Sequence, residues 1–211
     1  ERRVELCLDY YTQDCAIHTM AGDIVGADTV VANTHATLAS FPDRHLNPDN
    51  VIWSKDGEGD FYSSHLITSP MTNLGPTEFV PATGKAIKVI TIADCACRDN
   101  RIYEEWLARD YAAMALQLGH DPQAVAQAQA AKDAHDGFSL IEHHAEDHAL
   151  VSGLDPLTGV APKDAGTDPR ALAEFVLGQI WGESRADAVL DAYDFRVKAT
   201  RPSLQSLYGE R

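Results

Sequence analysis

Residues 101–119 carry a strand pattern that passes directly into a helix pattern. With the period of two that a strand imposes, one face of this strand holds two acids around an indole. That face comprises Ile102, Glu104, Trp106, Ala108 and Asp110. Carboxylates beside a large aromatic on an inward face lose hydration, which raises their pKa and suits them to proton transfer. This stretch is therefore the strongest indication of chemistry in the chain.

The balance of charge excludes some classes of partner. The 211 residues include 17 Lys and Arg against 32 Asp and Glu, a formal net charge of -15. This charge disfavours phosphate backbones and anionic lipid, so neither nucleic acid nor a membrane surface is expected as a partner. No apolar run approaches the roughly 20 residues that span a bilayer, and residues 1–11 lack the apolar core of a signal peptide. We expect a soluble, cytoplasmic protein.

The cysteines indicate neither a disulfide framework nor a metal site. Cys95 and Cys97 lie two apart in a β-rich run, so they share a face, cannot bridge each other and form no CxxC pair. Together with Cys7 and Cys15 they are expected to be reduced, partly buried thiols.

The order of predicted elements indicates an α+β fold. Turn residues at 56–59 separate two β segments, which predicts an antiparallel hairpin, and Asp99-Asn100 returns the following long strand into residues 101–109. The predicted helices are 1–11 and 27–40, and the predicted strands are 15–20, 50–55, 60–71, 86–97 and 101–109. Helices followed by a meandering antiparallel sheet are typical of the α+β class.

The last part of the chain resembles the first. The stretch from Glu183 aligns with the stretch from Glu1, including Leu190 with Leu8 and Tyr193 with Tyr11. A second repeat of the first domain explains this match, and so does chance similarity between two amphipathic helices. We therefore expect a domain at 1–119, a helix and linker at 120–168, and a helical segment with the first strand of a truncated second repeat at 169–211. On this prediction the chain is part of a longer two-repeat protein.

Several of these features together resemble the SnoaL-like polyketide cyclases of the nuclear transport factor 2-like superfamily. The features are a long strand with Asp94, a strand with Trp106 and Asp110, and a helix ending in Gln117-Leu118-Gly119. The resemblance covers residues 1–119 and implies a cone-shaped α+β barrel, with a curved sheet around helices and an apolar pocket. It also implies that Asp110 matches the general base that starts an aldol closure, without a metal or an organic cofactor.

The superfamily hosts several functions, which leaves alternatives open. One is a small-molecule enzyme, a lyase or isomerase that applies acid/base chemistry to a hydrophobic carbonyl compound. The other is a non-catalytic module that binds a small hydrophobic ligand or dimerises. Superfamily members often pair through the exposed sheet face, so we expect a homodimer or an intrachain pseudo-dimer of repeats.

The candidate catalytic residues are Asp110, His65 and Glu104. Asp110 is a carboxylate suited to carbon-acid chemistry, yet an Asp before a helix is equally well explained as an N-cap. His65 lies on a polar strand and could shuttle protons, although a strand histidine is more often structural. The cavity of the cone should distinguish the catalytic role from the structural one. A catalytic role requires Asp110, Glu104 and Trp106 to line one enclosed space.

The candidate ligand-binding residues are Trp106, Trp53, Tyr62, His18 and Asp94. The three aromatic residues would form apolar walls, and ordinary core packing is the alternative for them. Asp94 alternates with Ile90 and Ile92, and an ion pair with a nearby arginine would explain an acid in that row.

Residues 142–148 have a histidine spacing that also occurs in zinc sites. His144 and His148 are four apart and would face the same side of a helix, as zinc ligands must. The order is not HExxH, and a solvated charged helix face accounts for the pattern. No metal is predicted.

Overall fold

Six strands form one mixed sheet in the first of two units into which the chain divides. The units span residues 1–143 and residues 144–211. This computed structural model describes residues 3–55, 57–77, 80–153, 168–194, 196, 198–200 and 206–208.

The sheet is built mainly from antiparallel neighbours. Its strands are β1 Tyr11–Thr19, β2 Gly22–Val25, β3 Asn47–Lys55, β4 Asp60–Thr72, β5 Ala86–Arg98 and β6 Arg101–Arg109. They lie in the order β2-β1-β6-β5-β4-β3, and only β1 and β6 pair in parallel. The sequence predicts an antiparallel sheet, and this one pairing makes it mixed. The α+β class is confirmed.

The hairpin between β5 and β6 contains a bulge. Asp99 and Asn100 have φ angles of 49° and 60°, the left-handed values that a two-residue type I′ turn requires. Beyond the turn, Cys97 lies opposite Ile102, but Ala96 lies opposite Glu104. Tyr103 is therefore an extra residue on β6, and the side chains that follow it change faces.

Helices cover part of the sheet. The helices of this unit are α1 Cys7–Tyr10, α2 Ala27–Ser40, α3 Tyr111–Leu118, α4 Pro122–Asp136 and α5 Leu140–His143, and a 3-10 turn at Val4–Leu6 precedes α1. The α2 bounds match the predicted helix 27–40. The predicted helix 1–11 is shorter, because Tyr11 is already extended and begins β1.

The end of α3 fixes that helix to the sheet. Leu118 belongs to the main hydrophobic core, which comprises Phe41, Met71, Val80, Ile87, Val89 and Leu118. The Gln117 side chain accepts a hydrogen bond from the Lys88 N–H and donates one to the Lys88 carbonyl, both at 2.8 Å. Gly119 has a φ of 92°, which favours glycine and ends the helix. The Gln-Leu-Gly motif is therefore structural.

The second unit has a small core of its own. Its elements are α6 Ala145–Ser152, α7 Pro169–Phe175, a π-helix Val176–Gly182, a 3-10 turn Ala186–Ala188, α8 Val189–Ala192, and the strands β7 Lys198–Thr200 and β8 Ser206–Tyr208. Phe175, Ile180 and Ala188 are buried together. β7 and β8 pair as an antiparallel hairpin.

The two units share a local backbone conformation. In each, a 3-10 turn leads into a four-residue helix that ends at an extended tyrosine, Tyr11 in the first and Tyr193 in the second. This matches the sequence alignment residue for residue. The second repeat and the predicted boundaries at 119 and 168 stay predictions, and residues 154–167, 201–205 and 209–211 lie outside the described part.

Among the described residues, no helix has both the length and the apolar composition needed to cross a membrane.

Candidate functional site

The inward face of β6 is the one that carries Glu105. Glu105 is 6% exposed and lies opposite Cys95 of β5 and Ile17 of β1, which are both core residues. Trp106, on the opposite face, is 37% exposed. Strict alternation along the strand predicts Glu104 and Trp106 on the inward face. The Tyr103 bulge is the physical reason for the difference, because a shift of one residue exchanges the two faces of a strand.

A cavity of about 480 Å³ lies between α2 and the inward face of the sheet. Its walls are largely apolar and include Ile17, Phe41, Met71, Val89, Leu107 and Met114. Its polar and charged side chains include Arg44, Ser69, Thr91, Glu105 and Arg109. A space with a mainly apolar surface that also carries polar and charged groups is suited to a small molecule.

Glu105 is held by two donors. The Tyr11 hydroxyl donates to Glu105 Oε2 at 3.1 Å, and the Cys95 thiol lies 3.9 Å from Oε1. Burial raises the pKa of Glu105, and the Tyr11 hydrogen bond, the Arg109 charge and the Cys95 contact oppose that rise without cancelling it. Burial and the Glu105 charge likewise raise the pKa of Tyr11, which stays a neutral donor. A carboxyl with a raised pKa in an apolar cavity is suited to proton transfer.

The same cavity holds donors without acceptors. The Nε of Arg109 is buried and has no hydrogen-bond partner among the described residues, and the same is true of the Ser69 hydroxyl. Burial, and next the charge of Arg109, lower the pKa of Arg44 to about 10, so the two guanidinium groups are close enough to repel.

Three of the predicted ligand-binding residues, Tyr62, Asp94 and Trp106, lie together on the outward face. Trp53 borders the same groove, but it lies opposite Ser63 and so belongs to the inward row of Cys95 and Glu105. Trp53, Tyr62, Asp94 and Trp106 line a groove of about 300 Å³ with Ile52 and Ser64. The Tyr62 and Trp106 rings stack at 6.4 Å. Among the described residues, no arginine forms an ion pair with Asp94, and the nearby Arg98 pairs with Asp60 instead. The Oδ1 of Asp94 is buried and has no hydrogen-bond partner in the described part of the chain.

His18, the fifth predicted ligand-binding residue, joins β1 to the outward face of β6. Its ring stacks on Trp106 at 5.5 Å, and its nitrogens bond Asp23 at 3.0 Å and Glu104 at 3.1 Å. Burial lowers the pKa of His18, but the hydrogen bonds to Glu104 and Asp23 outweigh it, so the pKa is raised overall.

The remaining predicted catalytic residues are separated from one another. Asp110 is half-buried and caps α3, where its carboxylate accepts a hydrogen bond from the Ala113 N–H at 2.8 Å. His65 contacts the thiol of Cys95 at 3.9 Å. Of the residues described, those lining the inner cavity do not include Asp110, Glu104 or Trp106. These three residues therefore do not share the inner cavity.

Sequence reasoning did not identify Glu105, Arg109 or Ser69. A usable signal was present for Glu105, because Ala93, Cys95 and Cys97 form an apolar row on the strand that pairs with β6. Cys95 and Cys97, two of the four cysteines, belong to that row. All four are free thiols, and three of them are buried.

A sequence model of the family described as SnoaL-like polyketide cyclase matches residues 1–118. The chain belongs to this family. The family covers the α+β unit that contains the inner cavity, whereas the second unit lies outside the matched range. A comparison with curated proteins found no match.

Solved structures similar to this SnoaL-like chain come from several bacteria. TsrD of Streptomyces laurentii is 18% identical, with a TM-score of 0.48, and the match covers 56% of this chain and 83% of TsrD. IdmH of Streptomyces antibioticus is 22% identical, with a TM-score of 0.45 and coverage of 56% and 87%. A SnoaL-like polyketide cyclase of Agrobacterium tumefaciens is 15% identical, with a TM-score of 0.45 and coverage of 55% and 85%.

In the described part of the chain, no group of three or more His, Cys, Asp or Glu side chains is arranged to hold a metal ion.

Proposed function

We propose that the inner cavity binds a hydrophobic carbonyl compound and that Glu105 removes a proton from a carbon next to the carbonyl. The observation that carries this proposal is a buried carboxylate with a raised pKa in the wall of a largely apolar cavity. Membership of a cyclase family supports small-molecule chemistry in this unit. The apolar walls favour the neutral body of such a substrate over water.

The proposed step balances without a redox partner. The ionised Glu105 takes the carbon-bound proton, and the electron pair of the broken C–H bond moves to the carbonyl oxygen as an enolate. In a cyclase-type reaction the enolate carbon then attacks a second carbonyl of the same molecule, and the resulting alkoxide recovers the proton from Glu105. In an isomerase-type reaction the proton returns to a different carbon. Tyr11 orients the carboxylate through Oε2.

Asp110 provides the competing base in the same proposal. The family resemblance implies this role for Asp110, with His65 or Glu104 assisting. In the structure the Asp110 carboxylate caps α3. The two assignments of the base predict opposite results for the variants Glu105→Gln and Asp110→Asn.

Hydrogen exchange at a carbon acid tests which base acts. With 2-tetralone as the probe in D₂O, NMR should show that the protein accelerates exchange of the α-hydrogens. Glu105→Gln should lower this acceleration at least ~100-fold, since general bases contribute on the order of 10²–10⁴. Asp110→Asn should retain it, because asparagine also caps helices. Loss in Asp110→Asn with retention in Glu105→Gln would instead support Asp110.

A non-catalytic binding or dimerisation module is the second candidate. The exposed aromatic groove on the outward face favours it, because Ile52 is 65% exposed and lies beside the partly exposed Tyr62 and Trp106. Large exposed apolar groups in one patch mark interaction surfaces. If 2-tetralone binds the wild-type protein without faster exchange, this second candidate is favoured over catalysis on such ketones.

A further inference from the structure

Arg109 differs from the paired arginines of the chain. Arg98 pairs with Asp60, Arg170 with Glu174 and Arg185 with Asp187, each with a charged nitrogen within 3.2 Å of a carboxylate oxygen. Arg109 lines the inner cavity, and no described residue accepts a hydrogen bond from its buried Nε. Leaving a charged donor buried and unsatisfied is costly, so such a group indicates an acceptor that enters from outside the chain.

A second unsatisfied donor lies on the same wall. Ser69 is 1% exposed, lines the same cavity and has a hydroxyl without a hydrogen-bond partner among the described residues. The strand register brings Ser69 and Arg109 toward each other. Thr91 pairs with Arg109 on one side and with Ile67, two residues before Ser69, on the other. Ser69, Thr91 and Arg109 thus occupy three neighbouring strands of the inward face.

Positive charge is concentrated at this end of the cavity. Arg44 also lines the cavity, and Arg109 is near enough for its charge to lower the pKa of Arg44. Glu105 faces the same space from four residues away along β6, a separation of about 13 Å between Cα atoms at the ordinary rise of a strand. Leu107 lies between them on the same wall.

We propose that Arg109 and Ser69 form a subsite for a carboxylate group of the substrate. The guanidinium binds the carboxylate through charge-assisted hydrogen bonds, and the Ser69 hydroxyl donates to the same group. The apolar body of the ligand lies along Leu107, with its carbonyl end at Glu105. The substrate class is accordingly a hydrophobic oxo acid. This inference rests on the proposed function, because it takes the inner cavity as the substrate site.

Equilibrium binding of a matched pair of probes tests the subsite. The probes are 2-naphthoate and 2-naphthamide, which share shape and differ in charge, and titration calorimetry at low salt measures both. The wild-type protein should bind the naphthoate at least tenfold more tightly. Arg109→Met should abolish this preference, whereas Arg101→Met, on the exposed turn end of the same strand, should keep it. Equal affinities in the wild type, or an unchanged preference in Arg109→Met, would overturn the proposal.

Two further variants keep the test decisive. Ser69→Ala should weaken naphthoate binding severalfold and leave naphthamide binding unchanged, which provides the test if Arg109→Met does not fold. A Ser69→Ala protein with unchanged naphthoate affinity would then count against the subsite. Glu105→Gln should retain the preference for the naphthoate, because binding requires no proton transfer. If the exchange experiment fails while this preference holds, the proposed chemistry is wrong and the subsite stands.

Discussion

At Glu105, burial and hydrogen bonding compete to set the charge of one carboxyl group. Burial is the larger effect, so the pKa in the folded protein lies above the ordinary value. A raised pKa means that the folded protein binds this proton more tightly than the unfolded chain does. The group therefore contributes most to stability at low pH, and that contribution is lost as the pH rises through the raised pKa.

Replacing Glu105 by glutamine should remove this pH dependence. Glutamine keeps an acceptor for Tyr11 but cannot ionise, so Glu105→Gln should gain stability relative to the wild type as the pH rises. The difference should be smallest near pH 4, close to the ordinary glutamate pKa of about 4.3, and larger at neutral pH. Urea unfolding from about pH 4 to about pH 8 measures it. Glu58→Gln, at an exposed turn, is the control, and a constant Glu105→Gln difference across that range would contradict the prediction.

At the scale of the secondary-structure elements, local chemistry explains why much of the fold was predictable. The helix at 27–40, the long β3–β4 and β5–β6 hairpins and the Asp99-Asn100 turn depend on alternation and turn residues that are visible in the sequence. The parallel pairing of β1 with β6 was not predictable in this way, because it joins residues about 90 positions apart.

The candidate site was only partly predictable for the same reason. Tyr62, Asp94 and Trp106 do lie together, but on the outward face, whereas Trp53 belongs to the inward face of the edge strand β3. Alternation continues correctly as far as Ile102 and then fails, because the Tyr103 bulge turns Glu105 inward in place of Glu104. A bulge depends on the fit between two strands, so one strand's pattern does not reveal it.

The outward groove leads to a prediction about assembly. We expect two copies of the chain to associate through this face, since Ile52 is largely exposed beside Tyr62 and Trp106. Trp106→Glu should raise the dimer dissociation constant at least tenfold, equal to about 1.4 kcal/mol, because a charge would be buried beside the Tyr62 ring. Sedimentation velocity over a concentration series measures the change.

A second exposed tryptophan provides the matched control. Trp181 is 69% exposed in the second unit, so Trp181→Glu introduces the same charge away from the groove. It should leave the dissociation constant unchanged. A monomeric wild-type protein, or equal effects from the two variants, would rule out the groove as the dimer interface.

At the scale of the whole molecule, the two units have separate hydrophobic cores. The core of the first contains Phe41, Val89 and Leu118, and the core of the second contains Phe175 and Ile180. The family match ends at residue 118, inside the first unit. Because each core draws only on its own unit, the stability of the first unit should depend little on residues 144–211.

A shortened chain tests this independence. Residues 1–143 alone should fold with the far-ultraviolet circular dichroism of a mixed α+β protein and should unfold cooperatively on heating. They should also keep the preference for 2-naphthoate over 2-naphthamide, because Arg109, Ser69 and Glu105 all belong to this unit.

A chain cut at residue 119, the predicted domain boundary, is the comparison. It should be less stable, because it loses Phe138, whose ring lies over Gly22, and His143, which pairs with Asp23 at 3.4 Å. Equal stability of the two shortened chains would place the boundary of the folding unit at residue 119 instead. Failure of residues 1–143 to fold would show that the first unit requires the second.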